Sequence, residues 1–508
     1  MMKRILLLMF VCVSFGCSSS SSNPNPTGKQ QGDLDATFNA PDGYALYGGW
    51  NKDSYMGTAI QLDGKILVST GISNGTDSDV GVLRYNSDGT LDTTFGTGGV
   101  FIYDSGNGDD CGRLVAVDVD GKITLTGYAH NGNDVDILLI RLNAYGILDQ
   151  TFGTDGIVLY DNAGRDDYGR AIQVQRDGSI LVTARSTGGG TSIAMILRCE
   201  SDGSLDPSFG LNGVVTYEGG RGNDGFRDLA IQSDGNILVT GYASTDAGFE
   251  VLTARYDANG DLDNSFGTDG IVRYDGGHGN AGARGIVIQA DGKIVVSGSN
   301  SNGSDLDVVV LRYNSDGSLD PGFGTAGVVI YDAGTGNDNG RRLALQQGDK
   351  IVVVGNSHNG TDYDALVLRY DADGVADEAF GNAGVASFNL GEGDDWGEAV
   401  AIQRDQNMVA VGGIGSTAAE VLTMRIIGAP EGQFPGSVSG VVTMTQASGN
   451  KIPLSGITVR LINMDFEPDM VNYENNDAAF VAAAVTDKSG NYTIGSIGPG
   501  NYSSGLGA

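Results

Sequence analysis

Basic side chains are scarce in this chain. Lysine and arginine together number 30 against 63 acidic residues, a formal net charge of −33. So acidic a protein repels nucleic-acid phosphates and anionic head groups, and neither is expected as a partner. Proline is rare, at 10 residues in 508, and the 82 glycines follow no three-residue period, which excludes collagen. After the N-terminus no apolar run reaches the roughly 20 residues that a membrane-spanning helix needs. The three histidines, His130, His278 and His358, pair with no nucleophile, and no HExxH, GxSxG, P-loop or CxxC pattern occurs. A hydrophobic content of 40% nevertheless supports a real core rather than wholesale disorder.

The first residues read as an export signal. Lys3 and Arg4 precede the apolar stretch Ile5 to Val13, and Gly16-Cys17 places a small residue before cysteine. Five serines and Asn23-Pro24-Asn25-Pro26 then form a polar tether. The segment resembles a bacterial lipoprotein signal over 1–16, which implies cleavage before Cys17, lipidation of that cysteine and a tether over 17–32. Ser14 and Phe15 depart from the usual cleavage site, and an ordinary secretory signal cut nearby is the competing reading. Lipidation would place the protein on the bacterial outer membrane or cell surface; otherwise it is secreted. Of the remaining cysteines, Cys111 and Cys199 fall at different places in the repeat described next, so two buried thiols are expected rather than a disulfide.

The dipeptide Leu-Asp recurs every 57 residues, at Leu34, Leu91, Leu148, Leu205, Leu262 and Leu319, with Ala376-Asp377 in the seventh copy. Phenylalanine follows four places on each time: Phe38, Phe95, Phe152, Phe209, Phe266, Phe323 and Phe380. Each copy holds four short β-branched or aromatic runs separated by Gly, Asn and Asp, as in Val328 to Tyr331, Leu343 to Leu345, Ile351 to Val354 and Ala365 to Tyr370. Four strands in each of seven repeats predict an all-β, seven-bladed β-propeller over 33–428, in preference to a linear solenoid. The segments DGKILVSTG and VLRYNSDGTLDTTFGTGG and their copies resemble the delta-60 repeat family of bacterial surface and secreted proteins. That resemblance implies a β-propeller and brings no activity or binding residues.

Strand phase predicts how the ring closes. The run before DGK is the inner strand A, followed by B, then C at VLRY, then the outer strand D. The chain starts with a D-like run at Tyr44–Tyr47 and leaves the last repeat after a C strand. The N-terminal strand is therefore expected to pair with Val421–Ile427 and complete the final blade. A repeated charge pair points the same way. Arginine near the end of each C strand is matched by aspartate eight residues on: Arg84 with Asp92, Arg141 with Asp149, Arg198 with Asp206, Arg255 with Asp263, Arg312 with Asp320 and Arg369 with Asp377. Arg425 lacks a downstream partner and is expected to meet Asp35 around the ring.

The D–A and B–C loops share one face and are acidic, so a negative potential focused at the central opening is expected. Candidate ligand residues on that face are Trp50, Tyr168, Phe226, Tyr363 and Trp396 with Asp110, Asp167 and Asp395, since aromatics stack on sugars while carboxylates accept hydroxyl hydrogen bonds. The competing reading is a solvated surface that keeps an exported protein soluble. The loop Asp257, Asn259, Asp261, Asp263 has the look of a calcium site, but lacks the closing bidentate glutamate and fits an Asx turn instead. No other cofactor is expected.

Composition shifts at 429–436, a linker. Residues 437–508, with VSGVV, PLSGITVRLI and AAVTDKSGNYTIGSI, resemble the carboxypeptidase-regulatory-like (Cna-B-like) β-sandwich, a fold that brings no peptidase. An acidic insertion over 463–480 and an end at Ala508, where such domains usually add another strand, depart from the pattern. The function expected is non-catalytic: a monomeric, exported binding, adhesion or scaffold module for a glycan, peptide or protein. The alternative is a propeller hydrolase or lyase acting on an extracellular sugar or lactone.

Overall fold

The computed structural model describes residues 29–49, 55–219, 221–334, 336–415 and 419–428, together with the strand backbone of seven short segments between 438 and 507. The described residues contain no helix, and none long and apolar enough to cross a membrane. Residues 30–428 make one compact unit of seven four-stranded antiparallel sheets.

The blades follow the repeat. Blade 1 runs from A (Gly57–Ile60) through B (Ile66–Ser73) and C (Ser78–Tyr85) to D (Val100–Tyr103). The A strands of the next five blades begin at Cys111, Asp166, Gly225, Ala281 and Asp338. Strands B and C are buried on both faces because each blade is sandwiched between two others; every residue of Ser78–Tyr85 is buried. Blade 7 takes A (Asp395–Ile402), B (Met408–Ile414) and C (Glu420–Ile426) from the end of the repeats and D (Tyr44–Gly48) from their beginning. The pairing is antiparallel, with Tyr44 opposite Met424 and Tyr47 opposite Val421. The C strand is thereby covered where the two ends of the repeat array meet.

The repeated residues hold neighbouring blades together. All seven phenylalanines are fully buried. Each arginine lies over the phenylalanine of its own repeat, with Cζ between 4.4 Å (Arg141 over Phe152) and 5.1 Å (Arg425 over Phe38) from the ring centroid. Arg84 Nε bonds Asp92 Oδ2 at 2.8 Å, and the Asp92 Oδ1 accepts from the Thr94 amide and hydroxyl. The same guanidinium donates to the carbonyl of Ala144 in the next blade. This unit recurs around the ring and spans the closure, where Arg425 Nε donates to Asp35 Oδ2 at 2.8 Å and Nη1 to the Ser87 carbonyl at 2.5 Å. The turn glycine of the following blade completes it. Gly317 has φ +86°, and a Cβ there would lie 2.8 Å from the Gly267 amide nitrogen and against the Phe266 ring. Cys111 and Cys199 are buried thiols.

In the C-terminal unit, Thr458–Asn463 lies between Phe480–Val485 and Tyr502–Gly507, and Val438–Val441 pairs with Asn491–Ile494, all antiparallel. The signal, Cys17, most of the tether, the 429–436 linker and nearly all of the acidic insertion lie outside the described residues.

Candidate functional site

The central channel reverses the electrostatic expectation. It is lined mainly by Arg113, Arg170, Arg227, Arg284 and Arg341, one from strand A of each of blades 2 to 6. Glu398 takes the position in blade 7 and Met56 in blade 1, where Tyr55 enters the ring beside it. The loop aspartates dominate net charge, but the innermost strand decides what faces the axis.

A backbone irregularity sets the arginines there. Strand A changes register between Gly112 and Val115, Gly169 and Ala171, Phe226 and Asp228, Ala283 and Gly285, Gly340 and Leu343, and Gly397 and Ala399. Each bulge contains the channel residue. A bulge re-aims a side chain that regular alternation would send between blades.

The guanidinium groups outnumber their acidic partners. Arg341 Nη2 reaches Glu398 Oε1 at 3.5 Å, and the adjoining Arg342 Nη1 pairs with Asp228 Oδ1 at 2.6 Å. Arg113 Nε, Arg170 Nη1 and Arg341 Nε are buried with no hydrogen-bond acceptor among the described residues. Burial and the neighbouring guanidinium groups push the ionisation of Arg113, Arg227 and Arg284 downward. Tyr55 sits among them, its ring 4.3 Å from Arg113 Cζ and 5.4 Å from Arg170 Cζ. Burial raises its phenol, but Arg284, Arg227 and Arg113 outweigh that and bring it down to about 7.

The channel itself is narrow, about 30 Å³. On the D–A and B–C face it adjoins a second hollow of about 330 Å³, and Arg227 and Arg284 line both. Tyr242 and Phe249 form an aromatic corner there, edge to face at 5.4 Å, and Arg185 Nη1 donates to the Tyr242 hydroxyl at 3.1 Å. The hollow therefore offers apolar ring surface at its wall and fixed positive charge at its floor.

The residues expected to bind ligand are placed variously. Tyr168 borders the arginine cluster, stacked edge to face with Tyr128 at 5.2 Å and 5.7 Å from Arg185 Cζ. Tyr363 packs against His358, and Trp396 is half-buried against the blade 7 core. Phe226 is fully buried between Tyr217 and Tyr256 and presents no surface to a ligand. Asp110, Asp167 and Asp395 are also fully buried, and accept from the amides of Ser105, Asn162 and Leu390 to shape their own loops. Trp50 lies outside the described residues. His130 and His358 accept the amides of Gly132 and Gly360 on Nδ1. In the Asp257 loop, Asp257 Oδ1 accepts the amides of Asn259 and Asp261, while Asp263 is held by Arg255, the arrangement of an Asx turn.

Two clusters of three carboxylates do form elsewhere on this face. One is Asp79, Asp104 and Asp110; the other is Asp307, Asp332 and Asp338 at the same place four blades on.

Fold and channel define a seven-bladed β-propeller with a basic axis. Six segments, residues 61–95, 120–152, 175–209, 232–266, 289–323 and 347–380, match the family described as "Domain of unknown function (DUF5122) beta-propeller". No curated protein sequence matches the chain. Among solved structures it is similar to the polysaccharide lyase Uly1, with 11% identity, a TM-score of 0.47 and coverage of 73% of this chain and 90% of that one. A PL25 ulvan lyase bound to -[GlcA(1-4)Rha3S]- matches at 13% identity and TM-score 0.45, covering 76% and 95%. The gluconolactonase XC5397 of Xanthomonas campestris matches at 15% identity and TM-score 0.33, covering 61% and 85%. These likenesses carry nothing of those proteins' chemistry to this one.

Proposed function

We propose that this propeller is an extracellular binding module that captures an anionic ligand, an acidic glycan above all, at the arginine-floored hollow on its loop face. One observation carries the reading: five guanidinium groups converge on the axis with too few carboxylates to match them. Guanidinium stays protonated, so buried excess charge must find a counter-anion or persist at a cost of several kcal/mol per ion. A carboxylate or sulfate on a sugar chain supplies that charge, and Tyr242 and Phe249 offer its apolar face a wall. The acidic loops around the opening then favour a ligand that presents its anionic group in the centre and hydroxyls at the rim. Lipidation at Cys17, cell-surface or outer-membrane display, a monomeric state, and a C-terminal β-sandwich acting as a joining piece complete the proposal.

Calorimetric titration of the full chain with oligogalacturonate, and with an uncharged oligosaccharide of equal length, tests it. Selective binding of the uronate, weakened at least tenfold by Arg284→Gln, is expected. Equal binding of both sugars, or an affinity indifferent to Arg284→Gln, would overturn it.

Tyr55 favours a second reading. A phenol that ionises near neutrality beside guanidinium groups is equipped to abstract a proton next to a carboxylate, as an eliminating lyase requires. Appearance of an unsaturated product absorbing near the ultraviolet edge, lost in Tyr55→Phe, would select this reading over simple binding.

A further inference from the structure

We infer that the axial channel is itself a binding site for a small halide ion of the chloride class, held by Arg113, Arg170 and Arg341. The site is separate from the hollow that the channel adjoins and stands whether or not a glycan binds there.

The donors divide between the two spaces. Arg227 and Arg284 line channel and hollow alike, whereas Arg113, Arg170 and Arg341 line the channel and not the hollow. Those three are also the channel arginines that keep an unsatisfied donor: Arg113 Nε, Arg170 Nη1 and Arg341 Nε are buried without an acceptor among the described residues. Arg113 is only 6% exposed. Its Cζ lies 4.3 Å from the Tyr55 ring centroid and 5.4 Å from that of Tyr128, contacts that leave Nε without an acceptor. Such a donor elsewhere has an explanation at hand: Arg369 Nε faces Asp377 Oδ2 at 2.9 Å, and Arg185 borders the hollow. In the channel lining Glu398 is the one carboxylate, and it stands 3.5 Å from Arg341 Nη2. A sugar seated in the hollow meets Arg227 and Arg284 and leaves the other three as they are.

Space decides the kind of ion. A void of about 30 Å³ holds about two waters, which suits a monatomic anion and excludes a sugar ring. Donor geometry agrees. A carboxylate is best matched by two parallel N–H bonds from one guanidinium. Here single donors come from three residues on blades 2, 3 and 6, a set that a spherical acceptor can share and a planar carboxylate cannot align with. The charge also calls for it. Burial, and then the neighbouring guanidinium groups, push the ionisation of Arg113, Arg227 and Arg284 downward, and an anion among them offsets both effects. Besides Glu398, Tyr55 is the lining residue that can supply negative charge, so its phenolate and a bound halide draw on the same guanidinium groups.

The test is equilibrium dialysis of the full chain against radiolabelled chloride in sodium gluconate, at constant ionic strength and without sugar. One saturable chloride per chain is expected, competed by bromide and not by gluconate. Arg113→Gln and Arg170→Gln should each weaken it at least tenfold, and either variant alone decides the matter where the other fails to fold. Arg221→Gln, which removes an exposed arginine paired with Asp246, should leave binding unchanged. Ultraviolet difference titration then locates the ion. Saturating chloride should move the Tyr55 step upward, because an anion beside Arg113 cancels charge that holds the phenol down. No saturable binding, binding that survives the channel variants, binding lost in Arg221→Gln, or a Tyr55 step that chloride leaves in place would each overturn the assignment. With no sugar present, none of these outcomes bears on uronate capture in the hollow, and a failure of uronate to bind leaves the halide site standing.

Discussion

Asp35 and Arg425 lie 390 residues apart in sequence and meet at 2.8 Å. The pair does in blade 7 what an adjacent arginine and aspartate do in every other blade, and it is the one copy whose partners come from opposite ends of the repeat array. Thr37 reinforces it: its amide and hydroxyl donate to Asp35 Oδ1, and Arg425 Nη2 donates to its hydroxyl at 2.7 Å. Asp35→Ala leaves a largely buried guanidinium unpaired and is expected to cost about 3–5 kcal/mol. Asp263→Ala, whose carboxylate is more exposed at 22%, should cost less. Urea denaturation of the two variants beside the parent measures the difference.

Removing residues 30–48 should have a different outcome from weakening one pair. The C strand Glu420–Ile426 would lose its partner Tyr44–Gly48 and become a long, apolar sheet edge. Such edges recruit further strands. The truncated protein is expected to self-associate, read as a shift to earlier elution with concentration, and a synthetic peptide covering residues 33–48 should reverse that shift.

Acid stability separates two populations of aspartate. Those of the arginine units, Asp35, Asp92, Asp149, Asp206, Asp263, Asp320 and Asp377, are held below the usual carboxylate range; burial opposes this in all seven, but hydrogen bonds and the paired cations prevail. Their stabilisation is present above the unfolded value near 3.9 and is lost as pH falls through their folded values. The loop aspartates behave oppositely. Burial and neighbouring charges raise Asp167 and Asp395 to about 6, so they destabilise the fold above that pH and relent as they are protonated. Stability should therefore climb as pH falls from about 6 towards the unfolded value near 3.9, and drop below about pH 4. A melting temperature that falls steadily from pH 8 downward would contradict this.

Much of the scaffold was legible because it repeats. An arginine and an aspartate at a constant offset must meet in every blade, so their spacing alone named the pairs, while the phenylalanine beneath each arginine and the bond to the next blade emerged only from the structure. The site was less legible. Arg113, Arg170, Arg227, Arg284 and Arg341 also recur at the repeat period, but they sit in strand A among small and apolar residues, where alternation gives no reason to aim them at the axis. The bulges that turn them inward have no fixed residue signature: glycine precedes Arg113 and Arg170, phenylalanine Arg227 and alanine Arg284. The column could have been found by asking where the repeat breaks, at Glu398 and Met56. The loop acids misled for a physical reason: the chain uses many of them to accept amides within their own turns.

Tyr55 gives the most direct reading of the channel. Its phenol is held at about 7 by positive charge, against the effect of burial, so a fraction should be phenolate at neutral pH. Arg284 is the strongest of the cations acting on it, followed by Arg227 and Arg113. Ultraviolet difference titration at the tyrosinate band should show one residue ionising far below the remaining tyrosines, and Tyr55→Phe should remove that step alone. Arg284→Gln should move the step upward by a unit or more, since losing one adjacent charge at an effective dielectric near 20 is worth about 2 kcal/mol or more, and about 1.4 kcal/mol is one unit. Saturating oligogalacturonate should move it upward too, because a bound carboxylate neutralises the same guanidinium groups. A step that the uronate leaves in place, in protein shown to have bound it, would put the ligand outside the arginine ring.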